Sequence, residues 1–310
     1  MKISVVIPTK DDEKIFKAIE EVKEQNPYEI IVVNDSESSE NYKRKLKELE
    51  GIKYLEVEGG LAKARNRGAE RAEGEKILFL DSDCYPTENW KKKMSKALEE
   101  SDIVEGEVEY IGERCPFSRI VENRGEEGRF LTANLGVRKD VFEDIKFDED
   151  YEIFREDTDF GLRALEKGYT SSFVEAKVEH DAGRRTSAKF IEDQLRYDTE
   201  PYFYKKFKNN EKLGDHLSSL GPILYPEELF FTAVILLGLA ASFFKPEIIL
   251  GPLMAAVFLT TYYTASSMKQ KDASFSPKDW IQGLYIIPIG MVAKRYAIWK
   301  GGFKHRILVV

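Results

Sequence analysis

A chain of 310 residues can bury a large core and hold either one large domain with an appendage or two domains. Its formal net charge of −8 excludes a protein built around a basic nucleic-acid-binding face, so no nucleic-acid partner is expected. Two cysteines, Cys84 and Cys115, are too few for a disulfide framework, which excludes a small stapled secreted scaffold.

The chain opens on an apolar run at 3–7, with no basic segment and cleavable apolar stretch before it. A secretory leader is therefore not expected, and the main domain is expected on the cytoplasmic side. The run reads as a buried parallel strand. Residues 12–25 follow with a helical stripe of Ile15, Ala18, Ile19 and Val22. Strands are predicted at 30–33, 52–57 and 77–80, with helices at 39–50 and 61–73 between them. This alternation predicts an α/β fold with a mostly parallel, Rossmann-like sheet flanked by helices. A strand is predicted at 102–111, an irregular stretch at 115–136, a helix at 158–168, a strand at 171–178 and a long helix at 187–209.

The composition changes at Leu229. Residues 229–244 and 248–268 lack charge and are joined by Lys245-Pro246-Glu247, which predicts a transmembrane hairpin. A third apolar stretch, 280–293, is too short to span comfortably. Aromatic Trp280, Tyr285, Tyr296 and Trp299 and the cations that follow predict an interfacial or re-entrant segment over 280–299 with a basic tail. The expected division is a catalytic domain at 1–212, a linker at 213–228 and a membrane region at 229–310. The expected location is the cell membrane, multi-pass.

Acidic groups stand where predicted strands run out, the place where ligands bind in open α/β sheets. Asp35 ends the second strand and can accept from a nucleotide base or ribose. Asp81 and Asp83 end the fourth and can face one divalent cation through hard oxygen ligands. Arg65 offers a planar fork to a diphosphate. Asp157, with Glu156 second, can serve as a general base. His180 follows the next strand, as structural residue or ligand. Arg184, Arg185 and Arg196 can neutralise a leaving diphosphate. Cys84 reads as a small buried residue, since no cysteine or histidine lies at zinc spacing in the sequence.

Several motifs in this order resemble those of the family 2 glycosyltransferases, inverting enzymes of the GT-A fold. Ser4-Val5-Val6-Ile7-Pro8-Thr9 resembles their opening strand, and Ile31-Val32-Val33-Asn34-Asp35 their nucleotide-binding strand end, with Asn34 in place of the usual second acid. Ala64-Arg65-Asn66-Arg67-Gly68 resembles their helix motif and Asp81-Ser82-Asp83 their metal-binding triplet. Thr132-Ala133-Asn134-Leu135-Gly136-Val137-Arg138 is similar to the loop lining the acceptor side. Phe147-Asp148-Glu149 with Glu156-Asp157-Thr158-Asp159-Phe160 is similar to the stretch carrying the base. The resemblance covers residues 1 to 200. Gln194-Leu195-Arg196-Tyr197 departs in spacing from the motif of processive synthases.

The resemblance implies a nucleotide-diphosphate sugar as donor and Mg²⁺ or Mn²⁺ as cofactor. It implies that Pro8, Thr9, Asp11, Asp35, Arg65 and Asp81 hold the nucleotide, with Asp81 on ribose or metal. Asp83 and His180 hold the metal, and Asn134 and the three arginines face diphosphate or acceptor. The acceptor is a hydroxyl of a lipid-linked molecule or glycan. Its rivals are a polyprenyl-phosphate sugar synthase and a non-catalytic membrane scaffold that binds nucleotide sugar.

Overall fold

The computed structural model describes residues 2–151, 153–181, 183, 186–245, 250–273 and 276–310. The chain forms two compact units, Met1–Gly112 with Ile120–Ala182, and Glu113–Arg119 with Gly183–Val310. The second unit thus begins before the expected boundary at 212, because the helices after 186 pack on the C-terminal helices.

In the first unit, strands β1 (Ile3–Thr9), β2 (Glu29–Asp35), β3 (Lys53–Val57) and β4 (Lys76–Leu80) alternate with helices α1 (Ile15–Glu24), α2 (Glu40–Lys47) and α3 (Leu61–Arg71). Then come β5 (Cys84–Pro86), α4 (Trp90–Ala97), β6 (Ile103–Tyr110), β7 (Asn134–Arg138), α5 (Lys139–Ile145), α6 (Glu156–Glu166) and β8 (Ser171–His180). All eight strands join one sheet in the order β3-β2-β1-β4-β7-β6-β8-β5. Pairs β3/β2, β2/β1, β1/β4 and β6/β8 are parallel. β7 runs antiparallel between β4 and β6, and β5 antiparallel beside β8. The expected α/β class, a mostly parallel sheet flanked by helices, is the fold observed.

Central β1 is buried along its whole length, as a strand covered on both faces must be. α3 lies against it unusually closely. A Cβ on Gly68 would sit 2.4 Å from Val6 Cγ1 and 2.9 Å from Val33 Cγ2, so only glycine lets the helix down onto β1 and β2. That approach sinks Arg65, one turn earlier, to 1% exposure.

β7 falls in the stretch expected to be irregular. Asn134 and Gly136 interrupt its apolar pattern, and both have packing reasons. The Asn134 amide is wholly engaged inside the unit. Its Oδ1 accepts from Trp90 Nε1 at 2.8 Å, and its Nδ2 donates to the carbonyls of Glu107 at 2.8 Å and Ala176 at 2.7 Å. A side chain on Gly106 would collide with it. Asn134 therefore pins β7, β6, β8 and α4 together and does not face a ligand, contrary to the acceptor-side expectation.

The second unit holds α7 (Ser187–Leu195), a 3₁₀ turn (Arg196–Thr199), α8 (Glu200–Phe207), α9 (Leu213–His216), a short hairpin of β9 (Ser219–Leu220) and β10 (Ile223–Leu224), then α10 (Pro226–Phe244), α11 (Leu250–Gln270) and α12 (Pro277–Lys304). The predicted helix 187–209 is broken at 196–199. Pro201 has no N–H for an i−4 bond, and its ring crowds the preceding turn. Among the described residues, one helix, Pro226–Phe244, is long and apolar enough to cross a membrane. The expected partner span, 248–268, begins outside the described residues; its described part lies in α11, whose second half carries Thr260, Thr261, Tyr262, Tyr263, Thr264, Ser266 and Ser267. Among the described residues the multi-pass expectation thus rests on a single such helix. Residues 280–299 belong to one continuous helix that passes through Pro288.

Replacing Asn134 by alanine leaves one indole donor and two carbonyls unpaired. Asn134→Ala is expected to lower unfolding free energy by about 2–4 kcal/mol. A lower urea midpoint at unchanged slope would register the loss.

Candidate active site

The carboxyl ends of β2, β1 and β4 lie side by side, so Asp35, Thr9 and Asp81 reach one edge of the sheet. Thr9 is buried and shares a hydrogen bond with the Tyr42 hydroxyl, which donates to the Asp12 carbonyl at 2.9 Å. Pro8 precedes it within β1. Asp11 stands at φ +46°, in the left-handed region that non-glycine residues rarely occupy. Its carboxylate accepts from the Ser39 amide at 3.0 Å and the Ser39 hydroxyl at 2.8 Å, tying the β1 exit to the start of α2. Asp35 accepts from the Glu37 amide at 2.8 Å and lies 3.4 Å from Lys10 Nζ. Asn34 is fully buried, accepting from Ser38 and donating to Tyr54.

Arg65 does not offer its fork to solvent. Its Nη1 donates to Glu156 Oε1 at 2.7 Å and its Nη2 to Asp81 Oδ1 at 2.9 Å. The guanidinium thus joins the end of β4 to the start of α6. Burial opposes its charge, but Asp81, Glu156 and Asp157 hold the pKa above the ordinary arginine value. The Arg65 fork is engaged by two carboxylates rather than presented to solvent, contrary to the exposed fork expected for a diphosphate. Glu156 is likewise buried and ion-paired, and so poorly placed as the base.

Asp157 is the half-buried acid beside it. Arg155, at φ +77°, turns the chain sharply into α6. Asp157 Oδ1 accepts from the Thr158 amide at 2.7 Å and its hydroxyl at 3.2 Å. Burial, and then the neighbouring Glu156 charge, push its pKa up to about 6, against the pull of Arg65. A carboxylate poised there is suited to take a proton near neutral pH.

On the other side of Asp81, Asp83 Oδ2 lies 3.3 Å from His180 Nε2. β5 and β8 set this meeting, since Cys84 pairs with His180 in their register. His180 Nδ1 faces the Val121 carbonyl at 3.4 Å. That segment is held to β6 by buried Glu105, which accepts from the amides of Gly128 at 2.6 Å and Phe130 at 2.5 Å. With Nδ1 protonated toward Val121, the Nε2 lone pair points at a carboxylate oxygen. The contact then calls for a proton or a cation between them. Burial works against the charge of Asp83, but His180 and then Lys14 hold its pKa below the ordinary value. Burial lowers His180, and Asp83 more than reverses it.

Adjacent ligands of an octahedral Mg²⁺ lie about 3 Å apart, so the Asp83–His180 pair fits a hard divalent cation. Cys84 completes a trio whose ligand atoms lie within 4.8 Å of one another. Burial first, then Asp83 and Asp81, push the Cys84 thiol well up, so it stays protonated and is a poor ligand.

Three further residues join this edge. Ser82 Oγ donates to Asp12 Oδ2 at 2.7 Å. Lys14 donates to the Asp181 carbonyl and lies 3.3 Å from its carboxylate. The Asp181 amide donates to the Asp83 carbonyl at 2.9 Å. Lys14 sits in a charged run that reads as an ordinary helix start, so no local signal marks it. Arg184 and Arg185 lie outside the described residues. Arg196 belongs to the second unit, 3.2 Å from Asp193.

Residues 4–152 match the family model described as glycosyl transferase family 2. Glycosyltransferase AglE of Haloferax volcanii is 29% identical over 195 residues, 56% of this chain and 64% of that protein. The uncharacterized glycosyltransferase YwdF of Bacillus subtilis is 36% identical over 130 residues, 38% of this chain and 48% of that one. The chain spans less than two thirds of the length of either relative. A crystal structure of GalNAc-T7 with UDP, GalNAc and Mn2+ shares the fold at a TM-score of 0.50 and 16% identity, covering 65% of this chain and 50% of that one.

The raised Asp157 carboxyl binds its proton better folded than unfolded. It therefore adds stability below about pH 4, its unfolded value, and that stability is lost as pH rises through about 6. Asp157→Asn removes the charged form. The variant is expected to melt above the parent at pH 7.5, with the gain gone at pH 4, by thermal scanning in metal-free buffer.

Proposed function

We infer that this chain, whose residues 4–152 match the family 2 glycosyltransferase model, is a metal-dependent inverting glycosyltransferase. It moves a sugar from a nucleotide-diphosphate donor to a hydroxyl of a lipid-linked or glycan acceptor. The carrying observation is one acid network with two unlike ends. At one end Asp83 meets His180 at 3.3 Å. At the other, Asp157 is poised near pH 6, and Arg65 bridges Glu156 and Asp81 between them.

In this reading Pro8, Thr9, Asp11 and Asp35 hold the nucleoside, and Asp81 contacts ribose or metal. Asp83 and His180 hold Mg²⁺ or Mn²⁺. When bound, such an ion neutralises the donor diphosphate and the charge that grows on it. Asp157 accepts the acceptor hydroxyl proton as its oxygen attacks the anomeric carbon from the face opposite the leaving diphosphate. A single displacement inverts the configuration. Lys14, beside Asp181, adds positive charge on the diphosphate side. Apolar α10 anchors the chain to the cell membrane, with the catalytic unit on the cytoplasmic side.

A lipid-phosphate acceptor, as in a polyprenyl-phosphate sugar synthase, is already ionised and needs no base. The elevated Asp157 favours the hydroxyl reading. Asp157→Asn is expected to slow transfer to a hydroxyl by several orders of magnitude. A modest change instead would move the assignment to a phosphate acceptor. Asp83→Ala is expected to abolish Mn²⁺-dependent nucleotide-sugar binding, measured by titration calorimetry. Tight binding with no transfer or hydrolysis of any nucleotide sugar would leave only the scaffold.

A further inference from the structure

The outer face of α12 runs against the rule for a water-exposed helix. Ile281, Tyr285, Ile289, Val292, Tyr296 and Trp299 recur once per turn, spaced four, four, three, four and three residues apart, and all are exposed. Between them, charge is turned inward. Lys294 is 5% exposed, 2.9 Å from Glu228 and stacked over Tyr225 at 3.4 Å and Tyr197 at 4.0 Å. Arg295 is 1% exposed and donates to the carbonyls of Leu224 and Tyr225.

The inner face is fully committed to the unit. A Cβ on Gly290 would meet the Phe190 ring at 2.5 Å, and one on Gly301 would meet the Asp198 carbonyl at 1.8 Å. α12 is therefore clamped on α7 and the 3₁₀ turn, which with α8 expose Glu192, Lys205 and Lys206. A helix so flanked cannot sink to the centre of the hydrocarbon, where such charges are costly. Past Trp299, exposed Phe303 continues the stripe beside exposed Lys304 and Arg306 and beside Lys300, which lies 3.3 Å from Asp198, and no acid occurs in the sequence from 280 to 310.

We propose that α12 lies in the plane of an anionic bilayer surface, with its stripe in the headgroup boundary and its cationic end on lipid phosphates. The proposal rests on the membrane reading above and adds a surface to it. A one-sided apolar helix rich in aromatic residues with a basic flank has the chemistry of interfacial helices. A second copy paired stripe to stripe is a poorer occupant, because its basic end would meet the same acid-free segment, 280–310, of its partner.

Site-directed spin labelling of the full chain tests this, since Cys84 and Cys115 are buried and leave a new surface cysteine as the labelled site. Tyr285→Cys, Val292→Cys and Tyr296→Cys are labelled one at a time, with Phe243→Cys reporting on α10. On phosphatidylglycerol vesicles, the three α12 labels are expected to gain oxygen accessibility several-fold over a water-soluble nickel complex. They should share one shallow depth, about 5–10 Å below the phosphates. Exchanging the lipid for phosphatidylcholine is expected to weaken binding at least tenfold for the α12 signal. Unchanged binding would overturn the role given to the cationic end. A depth rising steadily from 285 to 296 would mean a crossing and overturn the proposal. Spin–spin broadening without vesicles would do so in favour of a second copy. Water-exposed α12 labels with Phe243→Cys in lipid would defeat this inference alone. All four labels in water would defeat the membrane reading itself.

Discussion

One buried guanidinium holds the catalytic half of this molecule in shape. Asp81 leaves β4 and Glu156 opens α6, two elements 75 residues apart in sequence that would repel each other if brought together bare. Arg65 binds both, at 2.9 and 2.7 Å, from a helix that Gly68 allows down onto the sheet. Removing one member of such a buried set typically costs about 3–5 kcal/mol, because a charge is left without its partner. The Arg65 Nε and Glu156 Oε2 have no hydrogen-bond partner among the described residues. The network is thus held by charge more than by complete hydrogen bonding. That suits a site where a ligand's own charges join later.

Around the same network two acids are pushed in opposite directions. Asp83 is held ionised by His180 and Lys14, and Asp157 is pushed toward neutrality by burial and by Glu156. Two carboxylates of similar intrinsic acidity thereby acquire opposite tendencies, which is the division the proposed reaction needs. Glu156 is central to this from a buried position. Its charge raises Asp157, and Arg65 stops it raising Asp157 further.

The sheet was legible because its strands are continuous apolar runs, and those runs end where the acids stand. That Asp81 and Asp83 follow β4, that Asp157 lies at the start of α6 and that His180 ends β8 was readable by position. What could not be read was the direction of a side chain. Arg65 looks like an exposed fork in a helix rich in charge, and only the close approach permitted at Gly68 turns it inward. Asn134 resembles an acceptor-loop residue by motif, while its three partners come from β6, β8 and α4, far apart in sequence. β7 escaped for the same reason, since its asparagine and glycine are apolar-pattern breaks that long-range packing requires. Lys14 reaches Asp181 across 167 residues, a contact no local spacing encodes.

The helical unit makes the opposite point about what composition can say. A window of hydropathy averages over all faces of a helix. It separates α10, apolar nearly all round, from α11, whose hydroxyl-bearing second half dilutes the average. It is blind to α12, where cations lie inside and aromatic residues outside. For that helix the phase of the pattern carries the information. Glycine at 283, 290 and 301 marks the packed side, and Tyr285, Val292 and Trp299 stand on the other. Lys294 and Arg295 can be taken from water only because Glu228, two tyrosine rings and two carbonyls receive them. These partners are incomplete, since Arg295 Nε and Nη1 and Glu228 Oε2 find no hydrogen bond among the described residues, yet the charge is turned inward and the apolar stripe left outside.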